Sequence, residues 1–188
     1  GSGALRLRLH DLGFKVTAAD IVPENFRLHD VVPFVRANLN GDFSDTMGKT
    51  FDAIAAFEII EHLENPRKFL RQCFKLLKSG GLLMLSTPNT DSPVSRAMLV
   101  RFGTFQWFTD EDYNGHGHIT PITQWQLTKC VAEAGFRIVR KESYGDPFRL
   151  TQGWFKLGLF ARLLQRFSLT GSGLGGEIFV MLLEKPAS

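Results

Sequence analysis

Cysteine is scarce. Only Cys73 and Cys130 occur in 188 residues, and both fall inside helix-like patterns. That scarcity excludes a disulfide framework and fits two unpaired buried thiols in a reducing compartment. No apolar run of about 18 residues reads as a membrane span, and no stretch reads as a signal peptide, so the cytoplasm is the expected compartment. Charge of one sign is in little excess. The 22 Lys and Arg residues stand against 19 Asp and Glu, a net +3, and the two signs are interleaved through most of the chain, so nucleic-acid binding is not implied. No Pro/Gly/Ser-rich linker divides the sequence and no internal repeat is present. With 44% apolar residues, a chain of this length buries one core, and a single domain over 1–188 is expected.

What is present is an alternation of helix and strand. "ALRLRLHDLG" spaces Leu5, Leu9 and Leu12 as a helix that stops at Gly13, and "FKVTAAD" follows as an apolar strand ending in Asp20. "VVPFVRANL", restricted near its start by Pro33, and "FDAIAAF" are the next strand candidates. Asn65 and Pro66 supply an N-cap and a first-turn proline. Phe69, Leu70, Cys73, Phe74 and Leu77 form one apolar face, and Gly80 sits where a C-cap belongs. "LLMLSTP" reads as a strand buried on both faces. Thr123 and Gln126 make a capping box for a helix that ends at Gly135 and feeds the strand "FRIVRKES", and "EIFVMLLEK" is the last strand. The pattern predicts an α/β fold, a mostly parallel sheet with helices on both faces.

In such a sheet, ligands bind beyond the carboxyl ends of the strands. Each parallel strand here ends in polar residues: Asp20, Asn38, the group from Glu58 to His62, and the group from Ser86 to Asn89. One shared rim is the candidate site. A carboxylate beyond a strand end can face a cleft while the strand itself stays dry. Acids also favour a helix start, which is a purely structural account of Glu61.

The blocks "GSGALRLRLHDLGFKVTAAD", "FDAIAAFEIIEHLENP", "LLKSGGLLMLSTPN" and "GHITPITQWQLTKCVAEAGF" together resemble the Rossmann-like class I methyltransferases that use S-adenosyl-L-methionine. More narrowly they resemble the small-molecule methyltransferases related to the ubiquinone-biosynthesis O-methyltransferases. The resemblance implies a three-layer sandwich with an antiparallel last strand. It also implies that the family's first strand is missing ahead of Gly1, although a Gly-Ser-Gly start also occurs as a linker. It places Gly1 and Gly3 against the methionine part of the cofactor and Asp20 on the ribose hydroxyls. Ile21, Asn38 and Leu39 fall at the adenine, and Phe57 and Glu58 near the transferable methyl group. Segments near 90–117 and 147–175 become cap elements that choose the acceptor.

If the acceptor is a hydroxyl, a base must take its proton, and histidine titrates in the right range. His62, His116 and His118 are candidates, with His62 and His118 preferred. Glu58, Glu61 and His62 also resemble an E-x-x-E-H set associated in quinone-pathway relatives with a divalent metal. Spacing alone does not show that the three converge, so no metal ligand is assigned. The expected function is methyl transfer to a small, apolar or lipid-like acceptor. A catalytically silent module that binds partners through the same fold is the alternative. An NAD-dependent oxidoreductase would share the acid after the second family strand but leaves the E-H-L-x-N-P and S-T-P-N blocks unexplained. Residues 148–167 combine Arg149, Lys156, Arg162 and Arg166 with aromatics. They imply either a peripheral contact with an anionic membrane or burial against the domain or a partner.

Overall fold

The computed structural model describes residues 4–23, 32–151, 154–167 and 174–187. Gly1 and Gly3 lie outside the described residues. Contacts divide the chain into two compact units, Gly1–Thr50 and Phe51–Ser188.

In the first unit, α1 (Ala4–Asp11) is closed by Gly13, whose φ of +87° favours glycine. The strand expected over "FKVTAAD" is regular only as β1 (Ala18–Asp20). It pairs in parallel with β2 (Phe34–Arg36), Ala18 opposite Phe34 and Asp20 opposite Arg36. Pro33, which has no N–H, stands just before β2 and contributes its carbonyl, accepting from the Ala18 N–H at 2.8 Å. A short α2 (Phe43–Met47) ends at Gly48 in the left-handed region.

The second unit carries a four-stranded sheet in the order β3-β4-β6-β5, from β3 (Phe51–Phe57), β4 (Leu77–Pro88), β5 (Arg137–Tyr144) and β6 (Ile178–Glu184). β3 and β4 are parallel, and β6 runs antiparallel to both its neighbours. The sheet is thus mixed, with only the last strand reversed. Leu83, Leu85, Phe179, Met181 and Leu183 alternate along β4 and β6 and are fully buried, as the period of two requires of one face. α3 (Pro66–Leu76) and α5 (Gln124–Glu133) touch each other and bury Phe69, Leu70, Leu127 and Val131. α4 (Pro93–Phe102) and α6 (Phe155–Phe167) form a second helix pair around Val94, Ala97 and Ala161.

Both helix starts read from the sequence hold. The Asn65 side chain accepts from the Lys68 N–H at 2.9 Å, and Thr123 accepts from the Gln126 N–H at 3.1 Å. Gly80 is not the C-cap of α3. The helix ends three residues earlier with Leu77 extended, and Lys185 donates to the carbonyls of Phe74 and Leu77 at 2.9 and 2.7 Å. An ammonium from β6's end thereby satisfies the carbonyls that a glycine cap would otherwise leave to the backbone. Gly80, at φ +76°, instead shapes the bulge where β4 steps past β3 between Phe51 and Ala53.

Candidate active site

In the first unit the strand register places Asp20 and Asn38 at the same carboxyl edge. The Ala37 N–H donates to the Asp20 carbonyl at 3.0 Å, which aligns the chain leaving β2 with the end of β1. The Asp20 carboxylate accepts from the Val22 N–H at 3.3 Å and the Asn38 side-chain oxygen from the Asn40 N–H at 3.0 Å. Such turns hold the two side chains at the rim. Ile21 is about half exposed and Leu39 partly so, which leaves apolar surface beside Asp20 and Asn38.

In the second unit, parallel pairing brings Phe57 opposite Ser86. The next residue, Glu58, has φ +50°, a conformation rare for a residue with a side chain. The ends of β3 and β4 hold it there. Its N–H donates to the Ser86 carbonyl at 3.2 Å and to Ser86 Oγ at 3.1 Å, and the Ser86 hydroxyl donates to Glu58 Oε1 at 2.6 Å. Strain of order 1–3 kcal/mol at a strand end persists only where its surroundings over-determine it.

Three residues on, a single turn of 3₁₀ helix (Ile60–His62) carries Glu61 into the interior, where it has no exposed surface. Thr87 donates to Glu61 Oε2 at 3.1 Å. Oε1 is buried with no hydrogen-bond partner and lies 3.8 Å from His62 Nε2. Burial pushes the carboxyl up from 4.5 to about 7; the charge of Glu58 adds to the rise and the bond from Thr87 opposes it.

Residues 117–120 strap this turn from outside. The Ile119 and Thr120 N–H groups donate to the Glu61 carbonyl at 3.0 and 2.9 Å. His62 Nδ1 lies 3.1 Å from the Gly117 carbonyl, and His118 Nδ1 lies 2.6 Å from the Trp107 carbonyl. A carbonyl oxygen only accepts, so each Nδ1 carries its hydrogen and each Nε2 keeps a lone pair. The rings meet edge to face with centroids 4.8 Å apart, and Phe108 flanks His118 at 5.6 Å. Burial depresses the His62 pKa, with the neighbouring His118 acting in the same direction and the Gly117 carbonyl against it. His62 is therefore neutral near pH 7 and able to accept a proton.

One ligand atom from each of Glu61, His62 and His118 lies within 4.8 Å of the other two. A carboxylate oxygen without a partner and two imidazoles tethered at Nδ1 form a group of acceptors with no donor among them. A shared proton or a cation would relieve it. Tethering of the distal ring nitrogen by a carbonyl is also how metal-binding histidines are oriented. The donor set suits a borderline divalent ion. It differs from the set weighed on sequence: Glu58, one oxygen of which accepts from Ser86, is not in the converging group, and His118 is. His116 is exposed, its ring 6.0 Å from that of His118.

The supporting residues were only partly legible beforehand. Ser86 and Thr87 belong to the polar tip of β4, but nothing in their spacing says which acid each holds. Asn89 donates to the carbonyls of Leu174 and Gly176 at 2.9 and 2.7 Å and accepts from Asp91 N and Gln124 Nε2. It ties β4's end to the start of β6 and to α5. Trp107 works through its carbonyl and an unusual φ of +69°, for which a sequence carries no signal.

Comparison with known proteins bears on the family and the fold. Residues 1–141 match the family model described as a methyltransferase domain. A ubiquinone biosynthesis O-methyltransferase from Dinoroseobacter shibae is 30% identical over 167 residues, covering 82% of this chain and 63% of that protein. One of the same description from Xanthomonas oryzae is 36% identical over 107 residues, 53% of this chain and 44% of that one. The chain thus spans about half to two thirds of the relatives it matches. Among solved structures, a SAM-dependent methyltransferase from Archaeoglobus fulgidus aligns with a TM-score of 0.64 at 16% identity, over 97% of this chain and 81% of the other. An S-adenosylmethionine-dependent methyltransferase from Mesorhizobium loti aligns at 0.62 and 18% identity, over 97% and 86%. At these identities the structures speak to the Rossmann-like fold, and the family model to descent. The chain belongs to the methyltransferase-domain family, within the class I S-adenosyl-L-methionine-dependent methyltransferases.

Proposed function

We propose that this chain transfers a methyl group from S-adenosyl-L-methionine to a hydroxyl of a small, apolar acceptor. The observation that carries the reading is the pair of imidazoles, His62 and His118, whose Nδ1 atoms are both held by carbonyls so that both Nε2 atoms stay free. In an in-line displacement the acceptor oxygen bonds to the methyl carbon as the carbon–sulfur bond breaks, the sulfonium becomes a neutral thioether, and the acceptor's proton passes to an imidazole Nε2. The leaving group needs no acid. His62, depressed by burial, serves as base near neutral pH, with His118 beside it.

Asp20 is assigned to the ribose hydroxyls, Ile21, Asn38 and Leu39 to the adenine, Phe57 and Glu58 to the methyl end, and Gly1 and Gly3 to the methionine. The shared edge of Asp20 and Asn38 supports this. An apolar acceptor accords with Phe108 beside His118. The names of the ubiquinone-pathway relatives agree with a hydroxyl target.

The acceptor-only group formed by Glu61, His62 and His118 favours a second reading of the same residues, in which they hold a divalent cation. Such an ion would lower the pKa of an acceptor hydroxyl brought to it.

Calorimetric titration of S-adenosyl-L-methionine and its demethylated product into the full-length protein tests the cofactor assignment. Micromolar binding that disappears in Asp20→Ala is expected. Absence of binding to either compound would overturn it in favour of the silent module.

A further inference from the structure

The second helix pair leaves one face uncovered. α6 buries Leu157, Phe160, Ala161 and Leu164 around Val94 and Ala97 of α4. At about 100° per residue, those positions occupy one side of the helix. The opposite side, an arc of roughly 120°, contains Phe155, Leu159 and Leu163 at i, i+4 and i+8, flanked by Lys156, Arg162 and Arg166. The three apolar side chains are 80%, 61% and 53% exposed. The spread of apolar residues around this helix is thereby resolved into two faces with different partners: one meets α4, the other meets solvent. Of the aromatics in 148–167, Phe148 and Phe160 pack on the α4 side, and Arg149 reaches Glu177 at 3.5 Å, so the outward face is narrower than the segment itself.

The surface continues onto α4. Phe102 and Trp154, both exposed, stack edge to face at 5.3 Å and join the end of α4 to the approach of α6. The Arg101 guanidinium lies over Phe102 at 5.1 Å. The sequence holds no acid between Asp91 and Asp110, nor between Asp146 and Glu177. Two acid-free segments thus pack together, while acids and bases mix through most of the remaining chain. A buried docking site for another protein does not require such one-sidedness; a surface of fixed negative charge does. Apolar and aromatic side chains flanked by Lys and Arg, on a helix lying along its own domain, are the pattern by which a helix beds into the headgroup layer while its cations stay at the phosphates.

We propose that the outward face of α6, with the exposed end of α4, docks this protein peripherally on an anionic phospholipid surface. The proposal concerns where the protein sits and stands independently of the methyl-transfer reading, because its test measures no catalysis. Vesicles of phosphatidylcholine with phosphatidylglycerol are expected to carry the protein down on sedimentation, and vesicles of phosphatidylcholine alone to leave it in solution. Raising salt from about 0.1 to 1 M shrinks the screening length from about 10 to 3 Å and is expected to release it. Each cation at the surface contributes a factor of about five, so Lys156→Gln/Arg162→Gln/Arg166→Gln is expected to weaken binding on the order of 100-fold. Phe155→Ser/Leu159→Ser is expected to abolish it. Both sets replace exposed side chains, and unchanged thermal melting verifies that the fold survives; the salt titration needs no variant.

Failure to sediment with the anionic vesicles overturns the proposal. So does equal binding to both vesicle types, wild-type binding by the variants, or an α6 face that mediates concentration-dependent self-association with vesicles left free.

Discussion

Thr87 donates its hydroxyl hydrogen to one oxygen of Glu61, 3.1 Å away, and the other oxygen of that fully buried carboxylate has no partner. β4 therefore fixes the orientation of the acid without neutralising it. The neighbouring residue on the same strand, Ser86, does the corresponding work for Glu58. Two adjacent hydroxyls, pointing to opposite sides of β4, thus position two acids that the β3 end delivers three residues apart.

The cost of burying Glu61 predicts a pH-dependent stability. Its folded pKa of about 7 lies above the ordinary 4.5, so the folded state holds the proton more tightly than the unfolded one. The associated stability is complete below about pH 4.5 and lost as pH rises through 7, an effect on the order of 3 kcal/mol. Glu61→Gln removes the titration. Relative to the parent, its melting temperature is expected to gain roughly 6–10 °C on going from pH 5 to pH 8; a constant difference across that range would contradict the assignment.

A divalent cation in the same group reverses the effect of the acid. If Glu61, His62 and His118 hold the ion, adding zinc or manganese raises the melting temperature of the protein, and the gain shrinks below pH 7 as Glu61 takes up its proton. His118→Ala is expected to abolish the gain and Glu58→Ala to retain it, because Glu58 lies outside the group of converging ligand atoms. The reverse order of the two variants would restore the E-x-x-E-H set. Thermal melts with and without metal and chelator decide the matter.

Ser86→Ala removes the hydroxyl that both accepts from and donates to Glu58. It is expected to destabilise the protein by about 1–3 kcal/mol. Glu58→Gly loses the same side-chain bond but relieves the left-handed backbone, so its stability is expected to lie above that of Ser86→Ala while methyl transfer falls. Chemical denaturation of the two variants, side by side, supplies the comparison.

The protonation of His62 sets the acid limb of the pH–rate profile. With its pKa depressed below the ordinary histidine value by burial, the base is free at neutral pH, and the acid limb of the methyl-transfer rate is expected to lie below the ordinary histidine range. His62→Asn is expected to lower kcat by about 10²–10⁴ and to remove the acid limb. An unshifted acid limb in that variant would assign the base elsewhere.

Asn89 is 3% exposed and makes four hydrogen bonds through one side chain. Asn89→Ala removes one bond from each of two carbonyls and two donors, of which the Leu174 carbonyl and Gln124 Nε2 keep their bond to each other at 3.1 Å, and a loss of about 2–3 kcal/mol is expected. Asn89→Asp keeps the accepting oxygen but loses the amide donor, and it should fall as far. Equilibrium unfolding measures both.

The local elements were written in the sequence because their causes are local. Asn65 and Pro66 start α3 and Thr123 starts α5 whatever lies around them, since a cap needs only the next turn. The seven residues of "FDAIAAF" form β3 over the full length expected, and the reversal of β6 is what the family resemblance implies. The end of α3 was not legible, because Lys185, more than one hundred residues downstream, satisfies its carbonyls in place of Gly80. The site divides in the same way. That Glu58, Glu61 and His62 lie beyond a strand end follows from the polar residues after an apolar run, whereas the candidacy of His118, between α4 and α5, follows from the family resemblance. Which β4 hydroxyl each acid meets, and which acid converges with the imidazoles, depends on the pairing of β3 with β4, and on a strap that brings Gly117 and Trp107 carbonyls to two histidines 56 residues apart. Hydrogen bonds between distant segments have no period in the chain. Only tertiary structure could decide which acceptors converge and which face of α6 stays bare.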